Sequence, residues 1–239
     1  MSPRTALVVV AHPDDAELSC GGTVVRWVEQ GWSAYLVVAT DGARGGKEIG
    51  SDFAIVMKER QAEQRQAADV LGFKDVIHLR FPDGELEENA DLRGALVEQI
   101  RRLQPERVIT LDPLTVILQN SYVNHRDHRI LGMALLDAMY PEASNAGYFP
   151  EQIEQGLQPH KVTETWLANT EAPNWWVDVS STLERRFEAL RRHASQIRLW
   201  PDNGEAVIRE QRRTAELAGL RYGVRYAEEY RRVIVNPLS

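Results

Sequence analysis

The chain of 239 residues contains a single cysteine, Cys20, so an intrachain disulfide is impossible and a cytoplasmic, reducing setting fits this usage. It has no apolar run approaching the ~20 residues of a membrane helix, which argues against membrane insertion. The basic-then-apolar-then-small pattern of a signal peptide is missing too, because "ALVVVA" is short and runs straight into polar residues. Positive charge is in deficit: 28 Lys and Arg stand against 35 Asp and Glu, for a net charge of −7. The first 119 residues carry 13 basic and 19 acidic side chains and the remainder 15 and 16, so neither half offers a phosphate-tracking surface for nucleic acid. Two catalytic signatures are also lacking. Neither "CGGT" nor "GARGG" supplies the G-x-G-x-x-G of a dinucleotide-binding Rossmann protein, and no G-x-S-x-G marks a serine hydrolase.

What remains is a globular composition, 43% hydrophobic and 26% charged, with no low-complexity tract, repeat or compositional break. Residues 1–239 read as one domain, long enough to bury a substantial core. "ALVVVA" (6–11) and "AYLVVAT" (34–40) are continuous apolar runs of the kind buried on both faces of a parallel sheet. Helices are expected at 21–31 and 53–72, the second closed by Gly72, with a glycine-rich loop at 41–52 between strand and helix. A strand at 75–80, a turn in "FPDGELEENAD", a helix at 91–104 and a strand at 107–111 continue the alternation. This predicts an α/β fold: a Rossmann-like, mainly parallel sheet flanked by helices on both faces. The C-terminal part is less regular, with a loop at 112–124, a helix from 126 to about 140 and a surface excursion at 141–160. Strands at 162–169 and 175–180 and helices at 181–193 and 204–217 complete it. The arginine-rich stretches "LERRFEALRRH" and "REQRR" read as solvated helix faces.

The chemistry concentrates where strands end. "VVVAHPDDAELSCGGT" (8–23) takes the first strand directly into His12, Pro13, Asp14 and Asp15, and ligands of parallel sheets gather beyond such C-terminal strand ends. Pro13 stiffens the turn, while Gly21 and Gly22 allow close backbone approach. A helix N-cap by Asp14 or Asp15 is the plainer reading of this motif alone. A second cluster, "NHRDHR" (124–129), follows the fourth strand at the same sheet edge, with His125 and His128 on one side of a helical turn. Imidazoles and carboxylates together suit zinc or a similar divalent ion, and three protein ligands with an open position make a catalytic rather than a structural site.

"AHPDDAELSCGGT" with the later His125-Arg126-Asp127-His128 resembles the signature of the zinc-dependent LmbE-like, or PIG-L, deacetylases. The family often has proline where Arg126 stands. "RQAEQRQAADVLG" (60–72) and "HASQ" (193–196) resemble two further family elements, so the likeness extends from about Ala6 to Gln196. The resemblance implies that His12, Asp15 and His128 bind Zn2+ (Fe2+ being an alternative) and that Asp14 is the general base. It further implies that a protonated His125 is the electrophile or acid, with Asp127 orienting it. Arg60, Asp83 and Tyr122 would contact substrate, although Asp83 also fits a simple turn with Pro82 and Arg60 a surface position. The implied substrate is a small N-acetylated amino sugar or its conjugate, and the implied reaction is removal of the acetyl group by a zinc-activated water. Relatives of this kind form homo-oligomers. Alternatives are an amidase or deacetylase of another sugar conjugate or glycosylated natural product, or a non-catalytic sugar-binding protein. Among the other residues, Cys20 reads as a small packed residue, His78 as structural, His160 as lying on a surface loop and His193 as having no assignable role. Trp175 and Trp176 read as core, or as a stacking wall for a sugar.

Overall fold

β1 (Thr5–Val10) is apolar and buried on both faces from Ala6 onward, and its period-2 geometry divides its side chains between two cores. The computed structural model describes residues 4–46 and 50–235. After β1 come α1 (Asp15–Ser19), α2 (Gly21–Glu29), β2 (Ser33–Thr40), α3 (Phe53–Leu71), β3 (Asp75–Phe81), α4 (Ala90–Leu103) and β4 (Arg107–Leu111). A short hairpin of β5 (Ile117–Leu118) and β6 (Tyr122–Val123) precedes α5 (Arg126–Asp137) and α6 (Pro150–Glu154). β7 (Glu164–Ala168), β8 (Trp175–Asp178), α7 (Leu183–Leu190), α8 (Ala194–Ile197), α9 (Glu205–Tyr222) and β9 (Ala227–Ile234) close the chain.

The central sheet has seven strands in the order β3-β2-β1-β4-β7-β9-β8. The first five are parallel, and β9 runs antiparallel to both β7 and β8. Ala6, Val8 and Val10 face a core with Val24 and Val25 of α2 and Ala67 and Leu71 of α3. Leu7, Val9 and Ala11 face the opposite core with Leu92 and Leu96 of α4 and Leu131 and Leu135 of α5. The expected parallel sheet with helices on both faces is therefore present. Asp52 caps α3 through the amides of Ala54 and Ile55, and Gly72 ends it at φ 87, the left-handed conformation that glycine adopts without strain. Among the described residues no helix is long and apolar enough to cross a membrane.

The departures from expectation have identifiable causes. The helix expected from residue 21 is preceded by α1, one turn starting at Asp15, with a break at Cys20. The loop at 112–124 contains the hairpin, and of the glycine-rich loop at 41–52, residues 47–49 lie outside the described residues. β9 was not expected, because "AEEYRRVI" hides its alternation under charges that tertiary partners satisfy. Glu228 is buried: its carboxylate accepts the amides of Gly22 (3.0 Å) and Thr23 (2.8 Å), the Thr23 and Tyr230 hydroxyls, and Arg186 at 3.0 Å. It thus caps α2 from across the sheet, and a Cβ on Gly22 would stand 2.9 Å from its Oε1. Arg186 corrects the reading of "LERRFEALRRH" as wholly solvated: it is 4% exposed and ties α7 to the carbonyls of Glu17 and Leu18.

The 141–160 excursion is organised by one cation. Arg101 of α4, 2% exposed, donates to the carbonyl oxygens of Glu142, Ala143, Asn145, Tyr148 and Phe149 and to Gln152 Oε1. Cys20 is fully buried, His78 lies within β3, and half-buried His160 bonds the Pro105 carbonyl. On the outer strand β8, Trp175 packs under Arg232 and Trp176 stacks on Tyr222 at 4.7 Å, which occupies both rings with protein partners.

Candidate metal centre

The strand order reverses between β1 and β4, and the crevice at that switch point is where parallel α/β sheets bind ligands. Both polar clusters converge there. His12 leaves β1, and Asp14 occupies the N-cap of α1 but makes no side-chain capping bond, so the plain capping reading does not account for its carboxylate. Its backbone is left-handed at φ 96, ψ −20, a conformation that costs a non-glycine residue about 1–3 kcal/mol and persists where neighbours fix it. They do: the Asp14 amide donates to Gln64 Oε1 at 2.9 Å, and its carbonyl accepts the Leu18 amide at 3.0 Å. From α3, Arg60 donates to the Pro13 carbonyl (2.6 Å), the Gly42 carbonyl (2.9 Å) and Asp14 Oδ2 (3.3 Å). Gly42, at φ 66, lies so close to Pro13 that a Cβ would fall 2.9 Å from its Cδ.

His12 Nδ1 lies 3.2 Å from His128 Nε2, while Asp15 Oδ2 lies 3.5 Å from the first and Asp15 Oδ1 3.2 Å from the second. Donors bound tetrahedrally at ~2.0–2.1 Å stand ~3.3 Å apart, the spacing of the two ring nitrogens, with a carboxylate oxygen beside each. The outer ring atoms identify the lone pairs. His128 Nδ1 lies 3.0 Å from Asn124 Oδ1, and Asn124 is oriented by its own Nδ2 donating to the Thr115 carbonyl at 2.7 Å. His12 Nε2 lies 3.1 Å from Asp83 Oδ1 and 3.2 Å from Asp127 Oδ2. Both outer nitrogens therefore carry hydrogen, so the two inner nitrogens and the Asp15 carboxylate are the donors left for a cation. This donor set suits a divalent cation of borderline softness. His125 belongs to the cluster too, since its ring nitrogens and those of His12 and His128 include three within 4.8 Å of one another.

The charges respond to this crowding. Burial lowers the His12 pKa, but contacts with Asp127, Asp15 and Asp83 outweigh it and hold the imidazole well above its usual value. Burial raises Asp15, yet His128 and His12 bring it well below the ordinary carboxylate range. In Asp14 burial prevails over the charges of Arg60 and His193, and the carboxyl is pushed up to about 6. Burial, then the His12 and His128 charges, lower His125.

Every residue expected at the site is in or beside it, but two stand differently from expectation. Asp127 does not put its carboxylate on His125. It faces His12, and accepts the Gly84 amide at 2.7 Å and the Leu86 amide at 3.2 Å. The cause is helix geometry: His125 is the N-cap of α5, so its Nδ1 accepts the Asp127 backbone amide at 3.1 Å while the Asp127 side chain turns inward. Asp83 is buried against His12 and accepts the Arg44 amide at 3.0 Å. Its turn closes from the Glu85 amide to the Pro82 carbonyl, with Gly84 at φ 78, so Pro82 begins the turn instead of taking its second position. An irregularity between β2 and β3, three residues of β3 against two of β2 with Arg80 at φ 62, swings Phe81–Asp83 toward the site. Tyr122, half-exposed on β6, is close enough for Asp15 and Asp14 to add to burial in raising its phenol. Arg60 is buried, contrary to the surface alternative. Sequence reasoning missed Gln64, Glu17 and Asn124. Only Asn124, adjacent to the second motif, carried any signal.

Residues 7–139 match the PIG-L family, described as GlcNAc-PI de-N-acetylase. The diacetylchitobiose deacetylase of Thermococcus kodakarensis is 30% identical over 232 residues, covering 95% of this chain and 82% of the relative. A 4-oxalmesaconate hydratase of Pseudomonas putida is 27% identical over 209 residues, covering 82% of this chain and 76% of the relative. The N,N'-diacetylchitobiose deacetylase structure from Pyrococcus horikoshii, complexed with its inhibitor, superposes with a TM-score of 0.88 at 27% identity, covering 100% of this chain and 88% of that one. The likeness spans the switch-point crevice and both polar clusters, and the chain belongs to the PIG-L (LmbE-like) family.

Proposed function

We propose that the protein is a metal-dependent N-deacetylase of N-acetylglucosamine-type sugars, disaccharides or conjugates. His12, Asp15 and His128 are the residues that hold the ion, zinc by preference, with Fe2+ as the alternative these donors also accept. The observation that carries this reading is the inward pair of imidazole nitrogens, 3.2 Å apart and flanked by the Asp15 carboxylate. When bound, such an ion supplies Lewis acidity that activates water and polarises an acyl oxygen.

The chain's own groups divide the remaining work. Asp14 lies beside the donor set and is held by Arg60, with its carboxyl at about 6, near the value a base needs at neutral pH. It takes a proton from the attacking water. His125 has its Nδ1 occupied as an acceptor, so its neutral ring carries hydrogen on Nε2 and can donate to the oxygen of the acetyl group as negative charge builds there. A neutral donor replaces the imidazolium expected from sequence. The carbon–nitrogen bond then breaks, the proton held by Asp14 passes to the departing amine, and acetate and a free amino sugar result. Buried Asp83 and Asp127 keep hydrogen on His12 Nε2 and thus direct its other nitrogen inward. Half-exposed Tyr122 is the group proposed to meet the sugar, whereas Arg60, spent on the Pro13 and Gly42 carbonyls and Asp14, and Asp83, spent on His12, act behind the site.

Acetate and primary-amine release test this directly, with zinc- or iron-loaded protein and a panel of N-acetylglucosamine, its disaccharide and its inositol and malate conjugates. Stoichiometric release of both from at least one member is expected. The hydratase relative favours a second reading, water addition to an unsaturated acid on the same residues. Consumption of 4-oxalmesaconate with no acetate released from the panel would establish that reading instead.

A further inference from the structure

Beneath the site lies a buried polar chain that the reaction above does not use. Gln64, Glu17 and His193 are each 0% exposed. Gln64 Oε1 accepts the Asp14 amide at 2.9 Å, and its Nε2 donates to Glu17 Oε1 at 3.0 Å. The other Glu17 oxygen lies 3.3 Å from His193 Nε2. The Glu17 carbonyl is in turn held by Arg186 at 2.6 Å. Gln64 stands one helical turn beyond Arg60 on α3, so a single helix face grips Asp14 twice, by its carboxylate through Arg60 and by its amide through Gln64.

We infer that Gln64 is a positioning residue: its side-chain amide, held at its far end by the Glu17 carboxylate, fixes the left-handed backbone of Asp14 and so aims the Asp14 carboxylate at the reacting water. This rests on the reading of Asp14 as general base. A carboxamide suits the task because it accepts at one end and donates at the other, which joins a backbone donor to a carboxylate acceptor. An apolar side chain in its place would leave both the Asp14 amide and a Glu17 oxygen buried without partners.

The test combines turnover with a readout that needs neither metal nor substrate. In Gln64→Met, kcat is expected to fall about 10- to 100-fold, as a displacement of a reacting group by ~1 Å would cause, with KM within about twofold and bound metal unchanged. Gln64→Glu combined with Glu17→Gln keeps an oxygen for the Asp14 amide and exchanges donor and acceptor between the two positions, and is expected to recover most of that loss. In the metal-free wild type, the Asp14 amide is expected to exchange hydrogen as slowly as the interior amides of α2, and at least about tenfold faster in Gln64→Met. A folded, metal-replete Gln64→Met with wild-type kcat overturns the inference. So does an Asp14 amide that exchanges at a loop rate in the wild type, a measurement that stands even if the variant does not fold. Failure of the wild type to release acetate counts against the proposed function and leaves the amide-exchange result to be read on its own.

Discussion

His12 Nδ1 faces His128 Nε2 across 3.2 Å, although 116 residues separate them. A proton or a metal cation between them offsets the repulsion of their lone pairs, and the outer acceptors hold each ring's other hydrogen outward. The relationship follows from strand order: β1 and β4 are neighbours, and each delivers its following loop to the same crevice.

Replacing the proposed base separates chemistry from binding. Asp14→Asn keeps the side-chain volume and tolerates positive φ, so metal content should equal that of the wild type while kcat falls by about 10²–10⁴. Elemental analysis beside acetate release checks both halves, and unchanged turnover would remove Asp14 from the base role.

The partner of His128 should matter for the metal itself. Asn124→Leu removes the acceptor at His128 Nδ1, and zinc affinity is expected to weaken about 10- to 100-fold, as measured by chelator competition. His128→Ala should abolish stoichiometric binding. An Asn124→Leu protein as tight as the wild type would show that the ring is held without its amide partner.

Away from the site, Arg101→Met strips the shared donor from five carbonyls between Glu142 and Phe149 and should cost about 2–4 kcal/mol of stability. Denaturant titration gives the loss, and limited proteolysis should locate new cleavage in the 141–160 excursion. A variant with unchanged midpoint and an intact excursion would contradict the role given to Arg101.

A pH signature belongs to His78. Burial first, then the charges of Arg65 and Arg80, lower its pKa from 6.5 to about 4. The folded strand thus favours the neutral ring, so this contribution to stability is complete above pH 6.5 and is lost as pH falls toward 4. The stability difference between the wild type and His78→Asn should shrink across that interval, as unfolding at stepped pH would reveal. A difference that does not vary with pH refutes it.

Legibility in the sequence followed locality. β1 and β2 were readable because their apolar runs report burial directly, and α3 because Asp52 and Gly72 mark its ends. The two site motifs were readable because ionisable residues crowd at strand ends. What escaped notice depends on partners distant in sequence. Glu228 and Arg186 look solvated until the sheet brings them to the amides of α2, and β9 was lost with them. Gln64 resembles any polar helix residue until Asp14 arrives opposite it. Asp127 was assigned to its near neighbour His125, whereas the inward turn of α5 delivers its carboxylate to His12.

The most direct test of the account is a crystal structure of the zinc-loaded protein with anomalous scattering at the zinc edge. The account predicts one ion within about 2.0–2.2 Å of His12 Nδ1, an Asp15 carboxylate oxygen and His128 Nε2, with the Asp14 carboxylate beside it and not bound. An ion held by other residues, or none at this crevice under saturating zinc, would contradict it.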